Sequence, residues 1–354
     1  MKRYRKRRRR QGGIGLSAAA ALCLAVSLLL FARAGGEVAV QELLDDLARS
    51  SGFVTRAVAL ELGLSADADT AVFAPRTAAA ARSEDAADPV SESTYIPLES
   101  ENDAPVLSAA DKAATVTVNN ETSYPVDVAA CLSAKTAIRA GDDGPQVLIV
   151  HTHGSESYTP DAAFPYTPTE TERTTDTRYN VVRVGDELKS VLEQNGIAVI
   201  HVRDIFDSPT YSGSYDRSLA AIEQALATYP SIRVVIDVHR DSILTDDGRA
   251  YKTLCTVDGT DTAQLMFVVG TDDGGLHHPD WQQNLNYVTG LQYRLNRSYP
   301  GLMRPVNLRT QRFNQHASPG SMLLEVGSSG NTMTEARAAV RLFGQTLADD
   351  LNGA

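Results

Sequence analysis

Residues 232–242 read IRVVIDVHRDS. Ile232–Val238 is β-branched almost throughout, and the run ends abruptly at His239, Arg240, Asp241 and Ser242. A short run of that character, apolar on both faces, is a strand buried on both sides, the kind a parallel sheet uses. The polar residues at its carboxyl end fall where α/β sheets bind ligands.

Working outward, residues 146–150 (QVLIV) read as a second buried strand, and residues 197–202, 262–269 and 321–326 as three more. Between them lie helical patterns. Asn180 to Asn195 is amphipathic and stops at Gly196; Tyr215–Tyr229 is closed by Pro230; Pro279–Tyr299 has proline at its first position, where the missing N–H costs nothing. Thr332-Met333-Thr334-Glu335 is a capping-box pattern that opens a last helix to about Leu351. The alternation predicts an α/β domain over residues 141–354, a mostly parallel sheet flanked by helices.

Upstream of residue 141 the composition changes. The chain has 354 residues and a net charge of −11, of which the first ten contribute +8, so the rest carries −19. An acidic body makes nucleic acid an unfit partner. Residues 1–13 read as a basic cytoplasmic tail. Ile14 to Phe31 is 18 residues without a charge, so residues 14–34 are expected to anchor the protein in the cell membrane as a single span. The basic flank would stay inside and the rest outside. Ala32-Arg33-Ala34 leaves a cleaved signal peptide open, although such h-regions are shorter. Residues 35–64 have helical spacing and are expected to form short juxtamembrane helices. Residues 65–140, rich in Ala, Asp, Glu, Ser and Thr, are expected to form a low-complexity, disordered stalk. Of the three cysteines, Cys23 lies in the span, while Cys131 and Cys255 fit no Cys-x-x-Cys pattern and read as buried free thiols, with a disulfide between them as the alternative.

Three strand ends bring chemistry to one edge of the sheet. The strand at 146–150 is followed by HTHGSESY, residues 151–158; the strand at 232–238 by His239 and Arg240; the strand at 321–326 contains Glu325 and is followed by Asn331. Zinc takes neutral imidazoles and carboxylates, and a catalytic zinc keeps one position for water. His153, Glu156 and His239 make a His₂Glu set, with His151 as the alternative third ligand. Glu325, a carboxylate inside the apolar MLLEVG, is the candidate general acid/base. Arg240 and Asn331 are candidate substrate-binding residues. His277, His278 and His316 lie in loops, and His201 lies in a strand where it is expected to be packed or paired.

Taken in order, VLIVHTHGSESYTP, NVVRVGDELKSVLEQNGI, VVIDVHRDS, QNLNYVTGLQYRLNRSYPGLMRPV and FNQHASPGSMLLEVGSSGNTMTEA resemble the stage II sporulation protein P family, over residues 141–350. That family is related to the zinc N-acetylmuramoyl-L-alanine amidases. The resemblance implies a zinc amidase-like fold with a six-stranded, mostly parallel sheet. It implies hydrolysis of the amide between the muramic acid lactyl group and L-alanine of peptidoglycan, possible action on stem cross-links, and Zn²⁺ as cofactor. It implies work at the septum and engulfing membrane in sporulation, with stage II sporulation proteins D and M as partners. His153 before Gly154, His239 after an apolar strand, and Glu325 in a Leu-x-Glu-x-Gly strand match the wider group. The metal glutamate that opens the first helix there has no counterpart in Asp176–Asn180, so that role moves to Glu156. A non-catalytic peptidoglycan-binding scaffold is the alternative reading.

Overall fold

The β-branched runs and caps read above carry over into secondary structure with few changes. A computed structural model of the chain describes residues 109–353, apart from 135, 137, 142, 143, 170 and 247. The expected tail 1–13, span 14–34, helices 35–64 and the stalk as far as residue 108 lie outside the described residues. Among the described residues no helix is long and apolar enough to cross a membrane.

In chain order the elements are helix α1 (Ala109–Ala113), strand β1 (Val118–Asn120), α2 (Val128–Ser133), β2 (Val147–Val150), α3 (Val181–Gln194), β3 (Val199–His201), α4 (Ser214–Thr228) and β4 (Val234–Asp241). They continue with β5 (Leu254–Val257), β6 (Thr260–Ala263), β7 (Leu265–Gly270), α5 (Trp281–Ser298), β8 (Val306–Arg309), β9 (Ser321–Ser328) and α6 (Met333–Asn352). The helix ends follow the sequence signals. The Asn180 side chain accepts from the Val182 N–H at 3.0 Å and opens α3, and Gly196 takes up φ +81° just beyond its end. Thr332 and Glu335 form both halves of the capping box that opens α6.

Among the described residues the main sheet has seven strands, in the order β1-β8-β7-β9-β4-β2-β3, one more than the expected six. Every neighbouring pair is parallel except β7 with β9. β1 and β8 are short and polar (VNN and VNLR), so they lack the apolar run that marks a buried strand. The expected strand 262–269 is in fact divided. Thr260–Ala263 pairs back on β5 through a turn at Asp258 and Gly259, with φ of 51° and 79°, the Asp-Gly signature of a two-residue hairpin. Leu265 onward then joins the main sheet. The stalk boundary at 140 is also corrected: β1 pairs with β8, and Cys131 of α2 is buried in the main core. Intermittent apolar residues such as Val116, Val118 and Cys131 suffice there because the sheet supplies the rest of the burial.

The largest core lies on one face of the sheet, where Val147, Ile149, Val234, Ile236, Phe267 and Leu324 meet Leu188 of α3, Leu285 and Leu291 of α5, and Val340 and Phe343 of α6. Truncating a residue such as Leu188 there costs about 2–5 kcal/mol. On the second face, α4 covers β2 and β4 through Ile222 and Ala225 against Leu148, Val150 and Val235. Over β7 and β9 that face carries a small cluster, Met266, Val268 and Leu323, covered by Phe313 from a loop.

Candidate metal centre

β4 alternates its side chains, so Val235, Asp237 and His239 share the second face of the sheet. Across the β4–β9 pairing His239 is the register partner of Glu325, and Asp237 that of Leu323. On the other flank, Val150 pairs with Asp237, and the chain leaves β2 directly into His151–Glu156. Gly154 lets this turn press against the next loop; a Cβ there would lie 3.2 Å from the Ile205 Cα. Glu156 is fixed by its own backbone, its N–H donating to the His153 carbonyl and its carbonyl accepting from the Val181 N–H.

These elements bring three expected residues together. One ligand atom each from His153, Glu156 and His239 can be chosen so that all lie within 4.8 Å of one another. Glu156 Oε1 is 3.6 Å from His153 Nδ1, and Oε2 is 3.4 Å from His239 Nδ1. The two imidazole centres are 5.0 Å apart, with planes at 84°. Two imidazoles sharing one tetrahedral zinc would have their centres about 5 Å apart, so the pair is spaced for such an ion. Among the described residues this is the group that could hold a metal.

Asp237 stands behind it. Its Oδ1 lies 2.9 Å from His239 Nε2 and accepts from the Thr152 N–H at 2.8 Å, while Oδ2 accepts from the Thr152 hydroxyl at 2.6 Å. A carboxylate on the far nitrogen of an imidazole is the arrangement that orients histidine ligands. His153 is walled by two aromatic rings. Tyr211 is stacked on it at 4.6 Å, and Tyr215 meets it edge-on at 5.5 Å. Its Nε2 is buried without a hydrogen-bond partner. Arg173 closes the outer side, with Nη2 at 3.5 Å from Glu156 Oε1 and Nη1 on Asp207 Oδ2.

The electrostatics of the pocket call for a cation. Burial pushes the Glu156 carboxyl up, but His153 and His239 outweigh it and hold it well below the usual carboxylate range. Burial pushes His239 down, but Asp237 and Glu156 outweigh it and hold its pKa well above the ordinary imidazole value. Two carboxylates against one imidazole favour positive charge there, the same demand that a metal ion satisfies. Glu325 behaves oppositely. Burial raises its carboxyl to about 8, with Glu156 and Asp241 adding to the rise and His239 and Arg240 opposing it. Its Oε2 is buried and has no hydrogen-bond partner.

The other expected residues have different employment. His151 is fully buried, with Nδ1 on the Val238 carbonyl at 3.0 Å and Nε2 on His201 Nε2 at 2.8 Å. Both nitrogens are engaged, so the alternative ligand is turned away from the pocket. His201 is paired as expected. Arg240 corrects its expected substrate-binding role. Its guanidinium donates to the carbonyls of Ser157, Glu172 and Asp241, and its backbone N–H to Glu156 Oε2 at 3.1 Å. It clamps the Glu156 turn onto β4. Asn331 is corrected too. It is fully buried, accepts from the N–H groups of Ser328 and Thr253, and donates to the Thr253 carbonyl and Glu335 Oε2. It has no capacity left for a ligand. Asp237 was missed, although a carboxylate two positions before His239 in an apolar strand shares its face. Arg173, Asp207, Tyr211 and Tyr215 come from loops and a helix start whose sequence carries no local signal.

Comparison with known proteins follows this geometry. The family model described as Stage II sporulation protein P (SpoIIP) matches residues 69–348. Stage II sporulation protein P of Bacillus subtilis (strain 168) is 30% identical over 218 residues, covering 57% of this chain and 51% of that protein. The chain therefore spans about half the length of the curated relative it matches. Among solved structures, an N-acetylmuramoyl-L-alanine amidase from Clostridium difficile 630 is 13% identical, with a TM-score of 0.35 over 59% of this chain and 97% of that one. Amidase AmiC2 of Nostoc punctiforme is 16% identical, with a TM-score of 0.33 over 60% and 97%. Likenesses at those scores carry no argument about this chain. The family match spans well over half of the sequence, and the chain belongs to the stage II sporulation protein P family.

Proposed function

We propose that this protein is a zinc-dependent peptidoglycan hydrolase that cleaves the amide between the lactyl group of N-acetylmuramic acid and L-alanine, with stem cross-links as a second target. The observation that supports it most is the buried His153–Glu156–His239 group, with Glu325 beside it on the same sheet face. His153, Glu156 and His239 would hold the ion. When bound, zinc supplies the Lewis acidity that polarises an amide carbonyl and acidifies water.

The rest is done by side chains. Asp237 orients His239. Arg240 and Arg173 fix the two oxygens of Glu156. Glu325 presents a carboxyl with a free oxygen, and burial raises its pKa to about 8. It takes the proton of the attacking water and passes it to the leaving alanine nitrogen as the tetrahedral adduct collapses. Residues 14–34 are proposed to tether the domain on the outer side of the membrane, with stage II sporulation proteins D and M as partners.

The test is digestion of purified peptidoglycan by zinc-loaded protein, with fragments assigned by mass spectrometry. Intact glycan strands and free stem peptides beginning with alanine are expected. Release of sugar fragments, or of acetate alone, would overturn the assignment.

A further inference from the structure

Phe313 and Asn314 both sit in the left-handed backbone region, with φ of 49° and 60°. For an aromatic residue that is an outlier, kept only where the surroundings over-determine it. Here they do. Asn314 Nδ2 donates to the Tyr215 carbonyl at 2.7 Å and to Ser218 Oγ at 3.1 Å. Gln315 accepts from the Gly270 N–H and donates to the Val268 carbonyl, each at 2.8 Å.

The strained pair lays Phe313 on Met266, Val268 and Leu323. Met266 is the register partner of Glu325, and Val268 that of Leu323, so this cluster abuts Glu325 on the same sheet face. The Phe313 ring is 6.0 Å from that of Tyr215, which itself meets His153. One strand further, Asn307 pairs with Val268, and its Oδ1 is buried with no partner. Beyond it, Asn119 on β1 is exposed.

We propose that this strip, from Glu325 past Phe313 to Asn307, receives the peptide side of the substrate, and that Phe313 is a specificity-determining residue. The inference rests on the amidase reading above. β9 to β8 is two strand spacings, about 10 Å, a distance that about three extended residues span. The alanine methyl next to the scissile amide meets the Phe313 ring. Main-chain N–H groups further along the stem meet the unpartnered Asn307 oxygen, which needs a donor. Strain at Phe313 is then the means of holding an aromatic side chain where a loop would not otherwise put one.

The experiment compares muramyl substrates carrying stems of two and of four residues, with wild type, Phe313→Gly and Asn307→Ala. Glycine suits the left-handed φ, and Asn307 sits on a partly exposed strand, so both variants should fold. The long-to-short ratio of kcat/KM should drop about tenfold in Asn307→Ala, while Phe313→Gly, whose alanine contact both stems share, should lose about tenfold in kcat/KM on both, within the usual range for a lost pocket contact. An unchanged ratio in Asn307→Ala, or undiminished kcat/KM on both stems in Phe313→Gly, would overturn the proposal while leaving the amidase reading intact. Calorimetric binding of free four-residue stem peptide to the zinc-loaded protein gives a second reading independent of turnover. Equal affinity in wild type and both variants refutes the strip even if the bond cleaved is not the one proposed.

Discussion

Replacing Asp237 by asparagine tests whether the pocket is built for a metal. In the folded protein Asp237 Oδ1 faces both His239 Nε2 and the Thr152 N–H, while Oδ2 takes the Thr152 hydroxyl. An asparagine can keep its oxygen on the first two. Its amide nitrogen then faces the Thr152 hydroxyl, which can turn to donate to its other neighbour, Ser218 Oγ, 2.7 Å away. The shape of the site therefore survives and the negative charge behind His239 is removed. Loss of such an outer-shell partner typically weakens metal binding about 10–100-fold, which is about 1.4–2.7 kcal/mol. Competition against a zinc chelator on residues 109–354 should show a loss in that range, while circular dichroism of the metal-free variant stays native. Unchanged zinc affinity in a folded Asp237→Asn protein would refute the reasoning, because His239 would then need no oriented partner.

Three further outcomes follow. Glu325→Gln keeps the size of the side chain but cannot take a proton, so it should retain zinc and peptidoglycan binding and turn over at least about a hundredfold more slowly; near-normal turnover removes Glu325 from the mechanism. Burial lowers His151 to about 3 and His201 to about 4 in the folded metal-free protein. Both unfold to ordinary imidazoles near 6.5, so stability is full above that pH and is lost as the pH falls, by roughly 2 kcal/mol for either residue at pH 5. Urea denaturation of the metal-free Glu325→Gln protein, which lacks the opposing gain from the raised Glu325 carboxyl, at pH 7 and pH 5 measures this, and equal midpoints contradict it. Gly185→Ala puts a Cβ 2.6 Å from His151 Nε2 and 2.7 Å from His201 Nε2, so it should cost about 1–3 kcal/mol by overpacking; a neutral change in thermal melting shows that the pair can yield.

The parts legible in the sequence are those whose signal is local. Ile232–Val238 and QVLIV mark strands because both faces are buried, and Asn180 and Thr332 mark helix starts because each caps its own backbone. β1 and β8 were illegible because their stability comes from a partner far along the chain; Val118 pairs with Val306. The candidate ligands were readable because imidazoles at two strand ends with a near carboxylate form a recognisable set, and the structure brings all three together. Arg240 and Asn331 were misread for one reason. A polar residue at a strand end looks available until its hydrogen-bond partners are counted: Asn331 is fully engaged, and Arg240 is buried with each guanidinium nitrogen already donating to a neighbouring carbonyl. Asp237 could have been found from period-two alternation; Tyr211 and Arg173 could not, since only the folded loops bring them to His153 and Glu156.

Among the described strands β9 comes last in sequence, yet it lies at the middle of the sheet, between β7 and β4. Until it is in place, β1-β8-β7 and β4-β2-β3 are two three-stranded halves, each with an open edge, and such edges invite pairing with other chains. Contacts so distant in sequence also form slowly. A chain truncated before residue 321 thus has neither a closed sheet nor Glu325. In the hydrolase proposed above, the central strand and the candidate acid/base arrive together, so the site is incomplete until residue 328 has been synthesised.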